Sequence, residues 1–175
     1  MAPGKLVVAS SISVAFDDRG NEPDLALAAF ELFPKSCPER KIEVTVQRLA
    51  TGDVCWDTGG NRYLIERKSL VTNDFETSFW YGKGRLGRQL NRMLTEAKLA
   101  ILVVEGMWVR SRMGYLMDPV SGEGIGGMLW AQFDGILWRI RMAGVQVYFS
   151  KDLRETAWAV GRAVAMTTGE SKWLS

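Results

Sequence analysis

At 175 residues, 47% hydrophobic and 24% charged, the chain has the composition of one ordinary globular domain, long enough to bury a sizeable core. It contains no histidine, which excludes Ser-His-Asp and Cys-His engines and histidine-ligated zinc. Any catalysis therefore rests on carboxylates, lysine, hydroxyls or a hard cation held by oxygen. The net charge is only +2, from 22 basic and 20 acidic residues, so a nucleic-acid partner requires a local basic patch.

No run approaches the roughly 18 consecutive apolar residues that span a bilayer, and the opening Met1 to Lys5 reads as a short polar start. Neither membrane insertion nor secretion is indicated. Cys37 and Cys55 are too few for a disulfide framework and point to reduced thiols inside a cell.

In chain order, Leu6 to Phe16 suits a buried strand ending in the acidic turn 17–21, with Asn21 as a helix cap. Pro23 opens a helix whose exit Pro34 and Pro38 bracket. Ile42 to Gln47 alternates at period two as a half-buried strand. Residues 53–56 and 62–66 flank Thr58-Gly59-Gly60-Asn61, the signature of a tight hairpin. Gly84 to Ala97 has helical spacing, and Leu99 to Val104 is an uninterrupted apolar run typical of a central strand. Residues 106–127, rich in Gly, Met and Arg, predict a mobile surface loop. A helix over about 128–142, a strand over 146–149 and a helix over about 152–166 complete one α/β layer structure with a mixed sheet.

The hairpin carries the chemistry. Glu66 and Lys68, two apart on a strand, share one face, and Asp53 starts the facing strand near the same end. Two carboxylates and an ammonium can hold Mg²⁺ or Mn²⁺ and stabilise charge developing on a phosphoryl group, with no histidine required. The plainer alternative is a solvated hairpin face with a surface ion pair worth at most about 1 kcal/mol. Arg67 alternates to the opposite face and is expected to brace a neighbouring helix or loop.

Lys83, Arg85, Arg88, Arg92 and Lys98 face only one acid, Glu96, and the middle three share a helical face, either solvated or positioning phosphates. Trp108, Arg110, Arg112, Met113 and Tyr115 interleave aromatic and basic side chains, a mixture able to stack unpaired bases or simply to connect elements. The 128–142 helix is apolar around much of its circumference, from Trp130 through Phe133 and Ile136 to Trp138, so part of it is expected to meet a partner.

The run Gly52-Asp53, Ile65-Glu66-Arg67-Lys68, Asp74, Gly84-Arg85-Leu86 and Gln89 resembles the nuclease domain of the XPF family of structure-specific DNA endonucleases, a branch of the PD-(D/E)XK nucleases. Asp17-Asp18-Arg19 is similar to the family's early acidic motif, with Gly20 where the family has Glu and Glu22 nearby. Residues 144–149 and Glu155-Thr156-Ala157 resemble its late strand and final helix. The family spacing after the Glu-Arg-Lys tripeptide falls on Thr72, and Asp74 follows two residues later.

The resemblance implies a restriction-endonuclease-like three-layer core with a central mixed sheet, one nuclease domain over residues 1–175. It implies a Mg²⁺- or Mn²⁺-dependent DNA endonuclease with Asp53, Glu66 and Asp17 as metal ligands and Lys68 as catalytic lysine. Arg67 and Asp74 complete the catalytic set, and Arg85, Arg88, Gln89, Arg92, Lys83, Arg110 and Arg112 contact DNA. The implied substrate is branched DNA, a Holliday junction or flap. The implied assembly is a homodimer through the 128–142 and C-terminal helices, Trp158 joining the same face. The family's usual helix-hairpin-helix and helicase modules have no counterpart here, which leaves room for a stand-alone enzyme of the cytoplasm or nucleoid, or a virus-encoded one acting in its host. A non-catalytic DNA-binding scaffold with the same fold is the alternative, and an RNA-directed enzyme a more distant one.

Overall fold

The computed structural model describes residues 11–38, 40–72, 74–81 and 84–169. The predicted strand positions 6–10 and the predicted DNA contact Lys83 lie outside them.

Strands and helices alternate as β1 (Ile12–Phe16), α1 (Glu22–Ser36), β2 (Ile42–Val46), β3 (Val54–Thr58) and β4 (Asn61–Ser69), followed by the short helix α2 (Asp74–Glu76) and a π-helical turn (Thr77–Tyr81). Then come α3 (Arg85–Glu96), β5 (Leu99–Glu105), three short strands β6 (Val109–Arg110), β7 (Tyr115–Met117) and β8 (Gly124–Leu129), α4 (Trp130–Met142), β9 (Gln146–Ser150) and α5 (Leu153–Thr167). Six strands form one mixed sheet in the order β2-β1-β3-β4-β5-β9. The β3–β4 hairpin is antiparallel and closes through Gly59 and Gly60, while β4, β5 and β9 run parallel. The remaining three make a small antiparallel sheet, β6-β7-β8.

The period of two sorts the sheet's side chains onto two faces. Val14, Phe16, Trp56, Tyr63, Ile65 and Val103 pack with α1 and α5. Leu64, Ala100, Leu102 and Val104 pack on the opposite face with α3, α4 and Phe75. Three layers result, as expected from the sequence. The apolar run of β5 is covered on both sides, its last four residues all buried.

Several local expectations need correction. Asn21 precedes α1 without a side-chain cap bond. Pro34 lies inside α1 rather than ending it, because a missing donor in the last turn costs a single bond and Cys37 N–H still closes onto Phe33 O at 2.7 Å. β2 is mostly exposed at the sheet edge. The 106–127 stretch is not irregular: it supplies the small sheet, with Arg110 paired to Leu116 and Tyr115 to Leu129. Its glycines hid the pattern. Gly126, at φ +58°, takes a left-handed conformation that favours glycine, and a Cβ there would sit 1.8 Å from Glu76 Oε2 and displace that carboxylate. Met128 and Leu129 belong to β8 instead of the following helix.

Trp108 is also not part of a surface stripe. Its ring centroid lies 4.8 Å from that of Trp130 and 5.6 Å from that of Phe133, inside an aromatic cluster beneath the small sheet. Trp158 packs in the α1/α5 layer, on the other side of the sheet from α4, so the two helices do not offer the shared face expected of them. Among the described residues no helix is long and apolar enough to cross a membrane.

Phe133, fully buried, meets Phe75 edge-on at 5.3 Å as well as Trp108, and so ties α4 to α2 and the small sheet. Phe133→Ala is expected to cost about 3–5 kcal/mol in urea unfolding, the range for aromatic truncation in a core.

Candidate active site

A cavity of about 410 Å³ opens where β1 and β4 end and β3 begins, lined among others by Asp17, Asp53, Lys68, Asp74, Arg85 and Gln89. Its geometry starts at Gly52. At φ +75° this residue occupies the left-handed region, and a Cβ there would press to 3.1 Å on Ile65 O. The turn lets Asp53 N–H donate to Ile65 O at 2.7 Å and Asp53 O accept from Asp17 N–H at 2.9 Å, so one residue links three strands.

Asp53 Oδ2 accepts the backbone N–H of Arg67 at 2.7 Å. Burial pushes this carboxyl above the ordinary aspartate range, with Asp17 and Asp74 adding to the rise, against Lys68 and the Arg67 N–H. Glu66 is 1% exposed. Its Oε1 forms an ion pair with Lys68 Nζ at 2.7 Å, and its Oε2 has no hydrogen-bond partner. Burial first, then Asp53, raises Glu66 to about 7 despite the lysine. Burial opposes the charge on Lys68, but Glu66, Asp53 and Asp74 outweigh it and hold the ammonium above the ordinary lysine range. Lys68 Nζ also reaches Asp74 Oδ2 at 3.3 Å, and Ser78 Oγ donates to Asp74 Oδ1 at the same distance. The two-residue offset in sequence is thus absorbed by the turn into α2, and Asp74 joins the cluster.

Arg67 points to the other face, as its alternation predicts. Its Nε and Nη2 donate to Glu105 Oε2 and Oε1 at 2.8 and 2.6 Å, and Nη1 reaches Glu22 Oε1 at 3.3 Å. Glu22, the acid nearest to Gly20 in sequence on its C-terminal side, is thus one of the two carboxylates that meet Arg67. Asp17 lines the cavity with its oxygens already committed: Oδ1 accepts from Leu49 N–H and Asp18 N–H, both at 3.0 Å, and Oδ2 pairs with Arg19. Burial raises its pKa, yet these bonds win and leave it below the ordinary value.

On α3, Arg85 and Gln89, one turn apart, both reach the cavity wall, and Gln89 Oε1 is buried without a hydrogen-bond partner. Arg88 and Arg92 are exposed, Arg92 donating to Ala50 O at 3.3 Å. Arg110 and Arg112 are exposed on and beside β6 and do not line the cavity. The residues missed by sequence reasoning are Glu105, which holds Arg67, and Thr156, which donates to Glu105. An acid closing the apolar run of β5 was the available signal.

Among the described residues, no three carboxylates or thiols gather into a ready-made chelate. Asp53 and Glu66 nonetheless suit a hard cation: Asp53 lines the cavity, Glu66 lies close enough to feel its charge, and one buried Glu66 oxygen lacks any donor. Substrate oxygens and water would complete such a shell.

The raised Glu66 has a consequence for stability. Its folded pKa of about 7 exceeds the ordinary 4.5, so the unfolded chain releases this proton first, and stability falls as pH rises from about 4.5 through about 7. A displacement of this size is worth on the order of 3 kcal/mol. In EDTA, Glu66→Gln is therefore expected to unfold at a higher temperature than wild type at pH 8 and to lose that advantage near pH 5, as read by thermal denaturation.

Solved structures share this fold, two of them of XPF. XPF from Aeropyrum pernix matches at a TM-score of 0.56 and 18% identity over 89% of this chain and 65% of that one. XPF from the same organism in complex with DNA matches at 0.62 and 19% identity over 93% of this chain and 67% of that one. The chain thus spans about two thirds of their length. Curated proteins yield no match. The model of the ERCC4 domain matches residues 17–160, which takes in Asp17, the hairpin, α3 and Thr156, and the chain belongs to that family.

Proposed function

We propose that this protein is a divalent-metal-dependent DNA endonuclease that hydrolyses phosphodiester bonds in branched or junction-containing DNA. The observation that carries this reading is Glu66, buried with an unpartnered oxygen and ion-paired to Lys68, which together with Asp53, Asp74 and Arg85 lines the cavity. Buried like charges are costly to keep, and a cation offsets that cost. Membership of the ERCC4 family supports a nuclease, and the DNA complex of the Aeropyrum pernix protein supports DNA as the substrate.

Asp53 and Glu66 would hold Mg²⁺ or Mn²⁺, which supplies Lewis-acid polarisation of the scissile phosphate. Lys68, kept charged by three carboxylates, acts as an ammonium rather than as a general base. With Glu66 and Asp74 accepting two of its protons, the third is left to orient the attacking water or to stabilise a phosphoryl oxygen. Asp74 steadies that ammonium. Asp17, held by Arg19 and two backbone N–H groups, shapes the wall and adds negative field rather than a free ligand atom. Arg85 and Gln89 position the phosphate at the cavity, and Arg88 and Arg92 extend the basic stripe along α3. Arg110 and Arg112 on the small sheet would meet DNA further from the cut.

A second copy of the chain would dock on α4, where Trp138 is 57% and Met142 79% exposed one turn apart. Two cysteines, Cys37 and Cys55, are too few for a disulfide framework, and we place the enzyme in a reducing cell interior.

Cleavage of labelled Holliday junction, flap, duplex and single-stranded DNA with Mg²⁺, Mn²⁺ or EDTA tests the proposal. Metal-dependent cutting is expected, strongest on the branched substrates, and Lys68→Ala should lower kcat about 10²- to 10³-fold while retaining binding. Binding without cutting in either metal would make the protein a scaffold instead. Arg85→Ala and Arg88→Ala should each reduce the slope of log K against log salt on duplex DNA by about 0.9, one phosphate contact apiece.

A further inference from the structure

On the α1/α5 face of the sheet, a chain of buried polar groups runs from Arg67, at the edge of the cavity, into α5. Glu105 Oε2, already bonded to Arg67 Nε, accepts from Thr156 Oγ1 at 2.6 Å. Thr156 Oγ1 lies 2.6 Å from Ser150 Oγ and 3.1 Å from Asp152 O. With the single Thr156 proton given to Glu105, Ser150 donates to Thr156 and the order of donors is closed. Thr156 is completely buried, Ser150 is 3% exposed and Glu105 7%.

The chain does more than fill a polar gap. Arg67 is the residue whose backbone N–H holds Asp53 Oδ2 at 2.7 Å, and its neighbours on β4 are Glu66 and Lys68. A guanidinium fixed by two carboxylates on one face therefore sets the backbone that fixes the ligand atoms on the other. Arg67 could be replaced in that backbone bond by any residue with an N–H, but the position of the N–H depends on what the side chain is tied to. Glu105 ends β5, Ser150 ends β9 and Thr156 lies in the first turn of α5, so the tie reaches across two neighbouring strands and into a helix.

We propose that Glu105 and Thr156 are positioning residues for the metal-binding pair, acting through Arg67 on Asp53 and Glu66. The inference rests on the nuclease reading above for its function, but its physical content is a metal affinity, which can be measured without any cleavage.

The experiment is titration of the full chain with Mn²⁺ alone by calorimetry, alongside thermal denaturation in EDTA and cleavage kinetics on the branched DNA that wild type cuts best. Thr156→Val, which keeps the volume and removes the hydroxyl, should weaken Mn²⁺ binding and lower kcat by about tenfold, the lower end of effects seen when outer partners of metal ligands are removed. The KM for DNA should stay unchanged, and Thr156→Ser should restore both values. Glu105→Gln should act in the same direction and more strongly, up to about 100-fold. If Glu105→Gln does not fold, the valine and serine variants decide. Unchanged Mn²⁺ affinity in a folded Thr156→Val protein that merely melts earlier would overturn the proposal and leave Thr156 a packing residue. A wild type that binds Mn²⁺ but cuts no DNA sinks the nuclease reading alone, and the affinity comparison still judges the positioning role.

Discussion

Three consecutive charges on an interior strand are the constraint around which this molecule is arranged. Glu66, Arg67 and Lys68 lie on β4, with β3 on one side and β5 on the other, so none of the three can escape to bulk water along the sheet. Strand alternation divides them, Arg67 to the α1/α5 face and Glu66 and Lys68 to the face of α3 and α4. Each face must then supply counter-charges with good geometry, because a buried charge that loses its partner costs about 3–5 kcal/mol. The α1/α5 face does so with Glu105 and Glu22, two carboxylates for the one guanidinium of Arg67. The other face does so incompletely: one lysine is shared among Glu66, Asp53 and Asp74.

That asymmetry separates structure from chemistry within one tripeptide. The Arg67 side is a closed network in which both Glu105 oxygens have partners, and such a network rigidifies the backbone that passes through it. The cavity side keeps an excess of negative charge and an unsatisfied oxygen, which is a destabilising state for a folded chain on its own. Strain of this kind persists only where the surrounding fold over-determines it. Here the surrounding fold includes Gly52, whose left-handed turn ties β3 to both β4 and the end of β1 through the backbone of Asp53.

Much of this was legible in the sequence, for reasons that can be located. The hairpin was visible because Gly59-Gly60 interrupts two alternating segments. β5 was visible because both of its faces are covered and its apolar run is unbroken. The grouping of Asp53, Glu66 and Lys68 followed from period two and hairpin register alone, and so did the outward turn of Arg67. The small β6-β7-β8 sheet was not legible, since its strands are two, three and six residues long and glycine replaces the side chains that would show alternation. The commitment of Asp17 to Arg19 and to the Leu49 N–H was hidden as well, because it depends on where the loop after β2 returns. Asp74 could not be placed from its spacing, as a three-residue helix and a π-helical turn carry it toward Lys68.

The small sheet then acquires a physical role that its composition did not suggest. Its inner side chains Leu116, Ile125 and Met128 are buried with Phe75 and Phe133, and Gly126 lies against the Glu76 carboxylate. α2 is only three residues long and has too few bonds of its own to hold a position. Its Phe75 is fully buried under this layer, so the sheet clamps the element that presents Asp74 to Lys68. The glycine-rich stretch that looks least structured in the sequence thus supports one of the three carboxylates that keep the lysine charged. Both flanks of β4 are in this way held from a distance, Arg67 through Glu105 and α5 and Asp74 through the small sheet, with the cavity at the end of the strand between them.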